Sequence, residues 1–320
     1  MHNSEPLFTI ATITYNSSKW IRQAIESILA SSYTNFELVI SDDCSTDNTW
    51  DIVSEYKDVR IRSWRNENNI GEYPNRNKVL NSAKGQYILF VDGDDILYKN
   101  SLSTYASLIN YFPEVPAIWG VYPVYFDFVV FPYLFTALEL SSLNFLSTYP
   151  ITVVGFAESL FKVSSLKEMG GLDERFASGD TFLKRKFSCI YDVLLIPAGA
   201  VFWRQHDGQA SNKVRTAYKN LMETYLIDKE ILSSNYHPFS SDTLLKARSN
   251  LKIRTIKLIF KNTIQKLKIF DFFQLLKRLH IPLSDIKYLF KRGNYTYKIK
   301  SPELLPLKND YNFVETNTKC

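Results

Sequence analysis

The first hundred residues alternate between short apolar segments and segments with helical spacing of apolar side chains. Leu7–Ile13, Phe36–Ser41, Val59–Trp64 and Gln86–Val91 are apolar and rich in β-branched or aromatic residues, which is typical of strands. The helical spacing includes Ile21, Ala24, Ile25, Ile28 and Leu29, and later Tyr73–Ala83. This order of elements predicts an α/β fold with a mainly parallel, doubly wound sheet.

Polar loops follow three of the predicted strands. They are Thr14-Tyr15-Asn16, Asp42-Asp43 and Asp92–Asp95. In a doubly wound sheet, ligands bind beyond the carboxyl ends of the strands. We therefore expect the three loops to gather at one edge of the sheet and to form a binding site there.

The string Asp92-Gly93-Asp94 places two carboxylates one residue apart at a strand end. One or two carboxylates can hold a hard divalent cation that keeps phosphate oxygens as its other ligands, so this string suits a nucleotide diphosphate with its metal. Solvated acidic turns also contain such strings. An aspartate cluster directly after the apolar Tyr87–Val91 favours the metal and nucleotide site.

Five segments together resemble glycosyltransferase family 2, whose nucleotide-binding domain has the GT-A fold. They are ITYNSSKWI at 13–21, ELVISDDCSTDNT at 37–49, NIGEYPNRNKVLNSAKGQYILFVDGDD at 69–95, GGLDERFASGDTF at 170–182 and WRQHDGQAS at 203–211. They follow the family's order and spacing over the first two-thirds of the chain. The resemblance implies a GT-A catalytic domain over residues 1–215, with a donor half at about 1–98 and an acceptor half at about 99–215. A basic helical region would follow at 216–320.

The resemblance also implies an activity. The protein would move a sugar from a UDP-linked donor to an acceptor hydroxyl, with inversion, in bacterial cell-surface polysaccharide or glycoconjugate synthesis. The acceptor would be a saccharide or a lipid-linked saccharide. Processive synthases carry a QxxRW string and transmembrane helices, which this sequence lacks, so a single addition is expected. A binding or scaffold protein that has lost turnover is the alternative. A nucleotidyltransferase would need a glycine-rich loop, and Thr12–Trp20 has no glycine.

Roles at the nucleoside end of the donor follow from the resemblance. Thr14, Tyr15 and Asn16 would line the nucleoside pocket, with Tyr15 against the base. Asp42 would accept a hydrogen bond from N3–H of uracil, which cytosine lacks. A packed aromatic ring at a strand end is the alternative for Tyr15, and a carboxylate that caps its own loop is the alternative for Asp42.

The same resemblance assigns residues to the diphosphate and the metal. Arg76 would face the diphosphate, Asp92 and Gly93 would lie at the ribose or at metal-bound water, and Asp94 would ligate Mn²⁺ or Mg²⁺. His206 would be a further ligand, because imidazole can bind Mn²⁺. A solvated helix arginine and a histidine satisfied by nearby backbone are the respective alternatives for Arg76 and His206.

Asp180 matches the family's general base, which takes the proton from the acceptor hydroxyl. A carboxylate that caps the helix Thr181–Phe187 is the alternative. Gly179 stands where the family usually has glutamate, which puts in doubt any acceptor or metal contact made by that side chain.

Composition bears on the compartment. The three cysteines, Cys44, Cys189 and Cys320, lie far apart without metal-ligand spacing, which suits a reducing environment. The sequence shows neither the pattern of a secretory leader nor a run of about 18 apolar residues. We expect a cytoplasmic protein, peripheral on the inner face of the cell membrane.

The charge is unevenly distributed. Between Lys246 and Lys300 there are 15 Lys and Arg residues against Asp271 and Asp285, a charge of +13, although the whole chain carries only +5. Apolar residues recur at helical spacing among these lysines, as is typical of a helix at an anionic membrane surface. They are Ile253, Ile256, Phe260, Ile264 and Leu267, and then Phe272, Phe273, Leu275 and Leu276. Packing on the acidic body of the protein, or on a second subunit of a homo-oligomer, is the alternative. Nucleic acid is not expected, because no recognition motif accompanies the charge.

Overall fold

The structure is a computed structural model and describes residues 5–121, 131–147, 156–206, 217–264 and 268–290. Its strands are β1 (Phe8–Thr14), β2 (Phe36–Asp42), β3 (Ile61–Arg65), β4 (Tyr87–Phe90), β5 (Ile96–Leu97), β6 (Ala117–Val121), β7 (Tyr133–Phe135), β8 (Ser159–Lys162), β9 (Val193–Pro197) and β10 (Val201–Phe202). Its α-helices are α1 (Ile21–Leu29), α2 (Thr49–Glu55), α3 (Glu72–Ser82), α4 (Ser101–Tyr111), α5 (Ala137–Phe145), α6 (Val163–Glu168), α7 (Gly179–Ile190), α8 (Ala217–Ser233), α9 (Ser241–Thr263) and α10 (Ile269–Arg278).

Eight of the strands form one sheet in the order β3-β2-β1-β4-β8-β6-β9-β7, while β5 and β10 pair separately. The pairs β1 with β2, β1 with β4, β2 with β3 and β6 with β9 are parallel. Strand β8 runs antiparallel to β4 and β6, and β7 runs antiparallel to β9. The prediction of a mainly parallel sheet is confirmed.

Helices cover both faces of this sheet. Along β2, Val39 belongs to the apolar cluster that contains Leu80 of α3, whereas Leu38 and Ile40 belong to the cluster that contains Ile25 of α1. Successive side chains of a strand point to opposite faces, so a strand buried on both faces needs a continuous apolar run. The prediction of a doubly wound sheet is therefore also confirmed.

The third strand begins later than predicted. Ile61 N–H donates to the carbonyl of Asp58, 3.0 Å away, and the chain turns there before it enters β3. Val59, which was predicted to start the strand, is 98% exposed. Apolar character alone therefore did not distinguish this turn from the strand.

The basic C-terminal helices pack against α5 and α7. One apolar cluster combines residues of α8, α9 and α10 with Phe145 of α5 and Phe182 of α7. Most of the α9 stripe that was predicted to meet a membrane packs in this cluster: Ile256 belongs to it, and Phe260 and Ile264 pack against it. Ile253 is also buried. Leu267 lies outside the described residues. The membrane expectation is thus wrong for this stripe, and also for Phe272, Leu275 and Leu276 of α10, because all of these residues pack on the protein's own body. Among the described helices, none has the length and apolar character needed to cross a bilayer.

A buried ionic cluster connects α7, α8 and α9. Asp228 of α8 is fully buried, and its Oδ2 accepts a hydrogen bond from Arg254 Nη2 of α9 at 2.5 Å. Its Oδ1 lies 3.4 Å from Nε of Arg185 on α7. Because α7 carries Asp180 in its first turn, the C-terminal helices help to fix the helix that presents this carboxylate.

Replacing Asp228 by alanine should lower the free energy of unfolding by about 3–5 kcal/mol, because the variant leaves buried guanidinium charge without its carboxylate. The measurement is urea denaturation followed by circular dichroism. Asp242→Ala, in the exposed first turn of α9, is the control and should cost less than about 1 kcal/mol. Equal losses in the two variants would contradict a stabilising role for the cluster.

Candidate active site

The three polar loops meet at one edge of the sheet, as predicted. The N–H of Asp43, after β2, donates to the carbonyl of Thr14 at the end of β1, over 2.8 Å. The N–H of Gly93, after β4, donates to the carbonyl of Ile13, over 3.1 Å. These backbone bonds place the ends of β2, β1 and β4 side by side.

Gly93 allows a close approach between two of these loops. A Cβ atom at this position would lie 2.6 Å from Oγ1 of Thr14, closer than real Cβ contacts. Thr14 is therefore covered by the Gly93 backbone and is itself buried. The glycine of Asp92-Gly93-Asp94 is therefore required by packing.

Asn16 and Tyr15 have different environments although they are neighbours. Asn16 has a φ of 52°, and its Oδ1 accepts a hydrogen bond from the N–H of Thr46 at 2.8 Å, which joins the loop after β1 to the loop after β2. Tyr15 is 48% exposed at the edge of the sheet. Its ring is therefore available to a ligand and is not the packed aromatic of the alternative interpretation.

Asp42 lies at the end of β2, but its side chain is not exposed to a ligand as expected. It is fully buried, and its two oxygens accept hydrogen bonds from the backbone N–H and the hydroxyl of Ser45, at 3.0 and 2.5 Å. Nε of Arg65 lies 3.6 Å from Oδ2. This arrangement is the loop-capping alternative and leaves no exposed Asp42 oxygen for uracil.

Arg76 also differs from the expectation. Its side chain is 2% exposed, so it is neither on the surface of the cleft nor solvated. Nη2 donates to Asp92 Oδ2 at 2.8 Å and to Glu72 Oε1 at 3.0 Å. The guanidinium carbon lies 4.5 Å from the ring centre of Phe156 and 5.2 Å from that of Phe90. Arg76 therefore fixes the Asp92 carboxylate from the buried side of the site.

Several buried polar atoms at this edge lack a hydrogen-bond partner among the described residues. They are Thr14 Oγ1, Arg76 Nη1 and Asp92 Oδ1. Buried polar atoms in proteins are nearly always paired, and an unpaired group in a cleft needs an explanation.

Asp94 and His206 face each other, with Asp94 Oδ2 2.9 Å from His206 Nε2. Arg204 fixes this pairing, because its Nε donates to the Asp94 carbonyl at 2.8 Å and its N–H donates to Asp95 Oδ1 at 3.0 Å. Burial raises the pKa of Asp94, and the neighbouring Asp92 carboxylate raises it further.

The donor set of this pair fits a divalent cation. A carboxylate and an imidazole are both ligands for Mn²⁺, and Mg²⁺ accepts the carboxylate. No group of three His, Cys, Asp or Glu side chains capable of holding a metal occurs within the described ranges. The remaining ligands would therefore come from phosphate oxygens and water, as is usual for cations that bind with a nucleotide.

Asp180 lies in the first turn of α7, where its Oδ1 accepts a hydrogen bond from the N–H of Thr181 at 2.7 Å. Its Oδ2 accepts none from the part of the chain that the structure describes. One helical turn further, Lys184 is buried, and this burial lowers the pKa of its ammonium group to about 7. The capping contact therefore uses one oxygen of Asp180 and leaves the other for a ligand.

The absence of a side chain at Gly179 has a structural cause. The Tyr73 hydroxyl accepts a hydrogen bond from Gly179 N–H at 2.8 Å and donates one to the carbonyl of Ala177 at 3.0 Å. A Cβ at Gly179 would lie 2.7 Å from two carbons of the Tyr73 ring. The ring thus excludes the glutamate that the family usually has at this position.

Two carboxylates in the site were not identified from the sequence. Asp43 accepts hydrogen bonds from Ile70 N–H and Gly71 N–H, both at 2.9 Å, and so holds the turn that precedes α3. Glu72 pairs with Arg76. The spacing of four residues between Glu72 and Arg76 would have been a usable signal, but the predicted helix began at Tyr73, one residue later than the observed α3. Nothing in the sequence distinguished Asp43 from Asp42.

Acidic loops that converge at one edge of a doubly wound sheet are typical of a nucleotide-binding α/β domain. The family model of glycosyl transferase family 2 matches residues 9–170, about half of the chain. The chain belongs to glycosyltransferase family 2.

Two curated relatives are similar over part of this chain. The Escherichia coli UDP-Glc:α-D-GlcNAc-diphosphoundecaprenol β-1,3-glucosyltransferase WfaP is 37% identical over 127 residues, which cover 39% of this chain and 49% of WfaP. The Staphylococcus aureus poly(ribitol-phosphate) β-N-acetylglucosaminyltransferase TarS is 37% identical over 107 residues, 32% of this chain and 19% of TarS. The chain spans half or less of the length of these relatives.

Solved structures show the same fold. The S. aureus TarS 1–349 complex with UDP-GlcNAc superimposes with a TM-score of 0.61 at 20% identity and covers 87% of this chain and 82% of its own. The Pyrobaculum calidifontis mannosyltransferase PcManGT, in complex with GDP-Man and Mn²⁺, superimposes with a TM-score of 0.58 at 16% identity, covering 90% and 79%. The predicted GT-A fold with a helical C-terminal region is confirmed.

The contact between Gly179 and Tyr73 should make Gly179→Ala destabilising by about 1–3 kcal/mol, because the added methyl group overpacks against a buried ring. Thermal denaturation of the variant measures this loss. A second variant that combines Gly179→Ala with Tyr73→Leu removes the ring and should recover part of the overpacking cost. No recovery would contradict the assignment of the cost to this contact.

Proposed function

We propose that the protein is an inverting glycosyltransferase that moves a sugar from a UDP-linked donor to a hydroxyl of a saccharide or lipid-linked saccharide. The observation that carries this proposal is the arrangement around α3. Asp92, held by Arg76, lies at the end of β4, while Tyr73 packs on the N-terminus of the helix that presents Asp180. Cell-surface polysaccharide or glycoconjugate synthesis is the proposed context, supported by the names of WfaP and TarS.

The donor would bind over the loops after β1 and β4. Tyr15 offers an exposed ring for the base, and the partly exposed carboxylate of Asp92 would lie beside the ribose. A uridine donor is supported by the UDP-sugars in the names of WfaP and of the TarS complex. With Asp42 buried, selection of uracil would depend on other groups of the pocket, and Asp42 would shape the loop.

Asp94 and His206 would hold Mn²⁺ or Mg²⁺. When bound, such a cation neutralises the charge that develops on the diphosphate as the sugar leaves. Arg204 keeps Asp94 and the segment that carries His206 together through its two hydrogen bonds to residues 94 and 95. In this proposal Arg204 would hold the two ligands in position before the cation binds.

Asp180 would act as the general base. Its free Oδ2 would take the proton of the acceptor hydroxyl while that oxygen attacks the sugar carbon from the face opposite the diphosphate. The hydrogen bond from Thr181 N–H orients the carboxylate. One carboxylate suffices, because no covalent sugar intermediate forms in a single displacement.

A transfer assay tests this function. Purified protein is incubated with UDP-glucose, UDP-galactose or UDP-N-acetylglucosamine, with Mn²⁺ or with chelator, and with simple saccharides or α-GlcNAc-diphosphoundecaprenol as acceptors. We expect release of UDP and a glycosylated acceptor of inverted configuration only when the cation is present. Donor binding without UDP release would support the alternative of a binding protein, and release of pyrophosphate would indicate a nucleotidyltransferase.

Two variants separate the roles in that assay. Asp180→Asn should lower the transfer rate by about 10²–10⁴-fold, the usual contribution of a positioned base, with little change in UDP binding. Asp94→Asn should weaken the effect of Mn²⁺ on the thermal stability of the UDP complex. Loss of UDP binding in Asp180→Asn would show that this residue is structural instead.

We further propose that α10 brings the protein to an anionic membrane surface. Phe272, Leu275 and Leu276 face the protein, whereas Ile269, Phe270 and Phe273 are 57%, 73% and 48% exposed. Lys268, Lys277 and Arg278 lie on the same helix or at its start. Exposed aromatic and aliphatic groups beside basic residues suit an interfacial helix, and each basic residue near an anionic leaflet contributes ~1 kcal/mol.

Co-sedimentation with vesicles of graded phosphatidylserine content measures this contact. The double variant Phe270→Ser and Phe273→Ser should bind vesicles less than the wild type, because it removes two exposed rings and leaves the packed face intact. Val59→Ser removes an exposed apolar side chain from the catalytic domain and should change nothing. Equal binding by all three proteins, or none, would overturn the membrane role of α10.

A further inference from the structure

Glu72 is a carboxylate of the cleft that the proposed mechanism leaves without a role. It is the first residue of α3, and its side chain is 40% exposed. Its Oε1 accepts both hydrogen bonds from Arg76, at 3.0 and 3.3 Å. Its Oε2 accepts none from any residue that the structure describes. One half of the carboxylate is thus anchored and the other half is open to a ligand.

The neighbours of Glu72 locate it between the donor and acceptor sides. Through Arg76 it is joined to Asp92, the carboxylate assigned to the donor. The next residue, Tyr73, accepts the hydrogen bond from Gly179 N–H, directly before Asp180. Glu72 therefore lies between Asp92 and the start of the helix that carries Asp180, the two carboxylates assigned to donor and acceptor in the proposed function.

The carboxylates around Glu72 disfavour an anionic partner. Burial raises the pKa of the Glu72 carboxyl above its usual range. The charges of Asp92 and Asp180 raise it further, against the lowering effect of Arg76. A diphosphate would be repelled here, whereas a neutral hydroxyl group can donate to a carboxylate oxygen. Saccharides are rich in such donors.

Resting on the proposed function, we propose that Glu72 positions the acceptor: its Oε2 accepts a hydrogen bond from a second hydroxyl of the acceptor sugar, next to the hydroxyl that attacks. The attacking hydroxyl loses its proton to Asp180, and Glu72 takes no part in that transfer. Two anchored carboxylates would then fix both the position and the rotation of the acceptor ring. Glu72 is in this sense a positioning residue and determines which saccharides are accepted.

Glu72→Gln tests the assignment, because the amide keeps an oxygen for Arg76 but removes the charge from the group that meets the acceptor. With the saccharide of the acceptor panel that gives the highest rate, the acceptor KM should rise roughly 10-fold or more, as expected for a lost hydrogen bond to a charged group. The donor KM and the slow hydrolysis of the UDP-sugar without acceptor should stay unchanged. Glu67→Gln, an exposed glutamate of the preceding loop, is the matched control and should change neither.

Monodeoxy analogues of the same saccharide identify the contacted hydroxyl. The analogue that lacks this hydroxyl should bind the wild type about as weakly as the complete saccharide binds Glu72→Gln. The same analogue with Glu72→Gln should bind only slightly more weakly still, because the effects of two groups that contact each other are not additive. This readout does not respond to a purely structural role of Glu72.

The outcomes separate this inference from the proposed function. A wild type without transfer to any acceptor overturns both. An active wild type whose acceptor KM is unchanged in Glu72→Gln overturns the positioning role alone. A variant that instead loses donor affinity and donor hydrolysis shows that Glu72 acts only through Arg76 on Asp92, and this result also overturns the inference.

Discussion

The buried guanidinium of Arg76 organises the carboxylates of the cleft. It lies against the rings of Phe90 and Phe156 and pairs with Asp92 on one side and Glu72 on the other. Taking such a charge out of water is costly unless carboxylates and further hydrogen bonds compensate it. The pairing therefore constrains both partners: Asp92 cannot turn away from the end of β4, and Glu72 must begin α3 within reach of Arg76. The positions of these two carboxylates depend on the buried guanidinium of Arg76.

A second buried cluster relates the C-terminal helices to the same cleft. Asp228 of α8 pairs with Arg254 of α9 and lies near Arg185 of α7. These contacts help to fix α7, the helix that carries Asp180. The basic residues of this region serve two physical purposes. Some neutralise a buried carboxylate, and others, on α10, remain beside exposed aromatic rings. A charge count along the chain cannot separate these uses, because it carries no information on burial.

The glycine at position 179, where the family usually has glutamate, is explained by packing. The Tyr73 ring occupies the volume that a longer side chain at position 179 would need, and its hydroxyl takes up the free N–H at the start of α7. The residue that precedes Tyr73, Glu72, nevertheless carries a partly exposed carboxylate. The acceptor-positioning role proposed for Glu72 would place this carboxylate, from a different element of the fold, on the acceptor side.

The sequence by itself determined the fold class, the edge at which the loops meet and the family, because strand runs buried on both faces have a clear apolar pattern and because acidic loops directly follow them. It also identified Asp94 with His206, which the tertiary structure brings to within 2.9 Å although 112 residues separate them. Only the tertiary structure decided that Asp42 caps its own loop, that Arg76 is buried beneath Asp92, and that the α9 stripe packs inward. Each of these outcomes depends on which residues distant in the sequence bury the side chain. Local patterns of polarity contain no information on these distant partners.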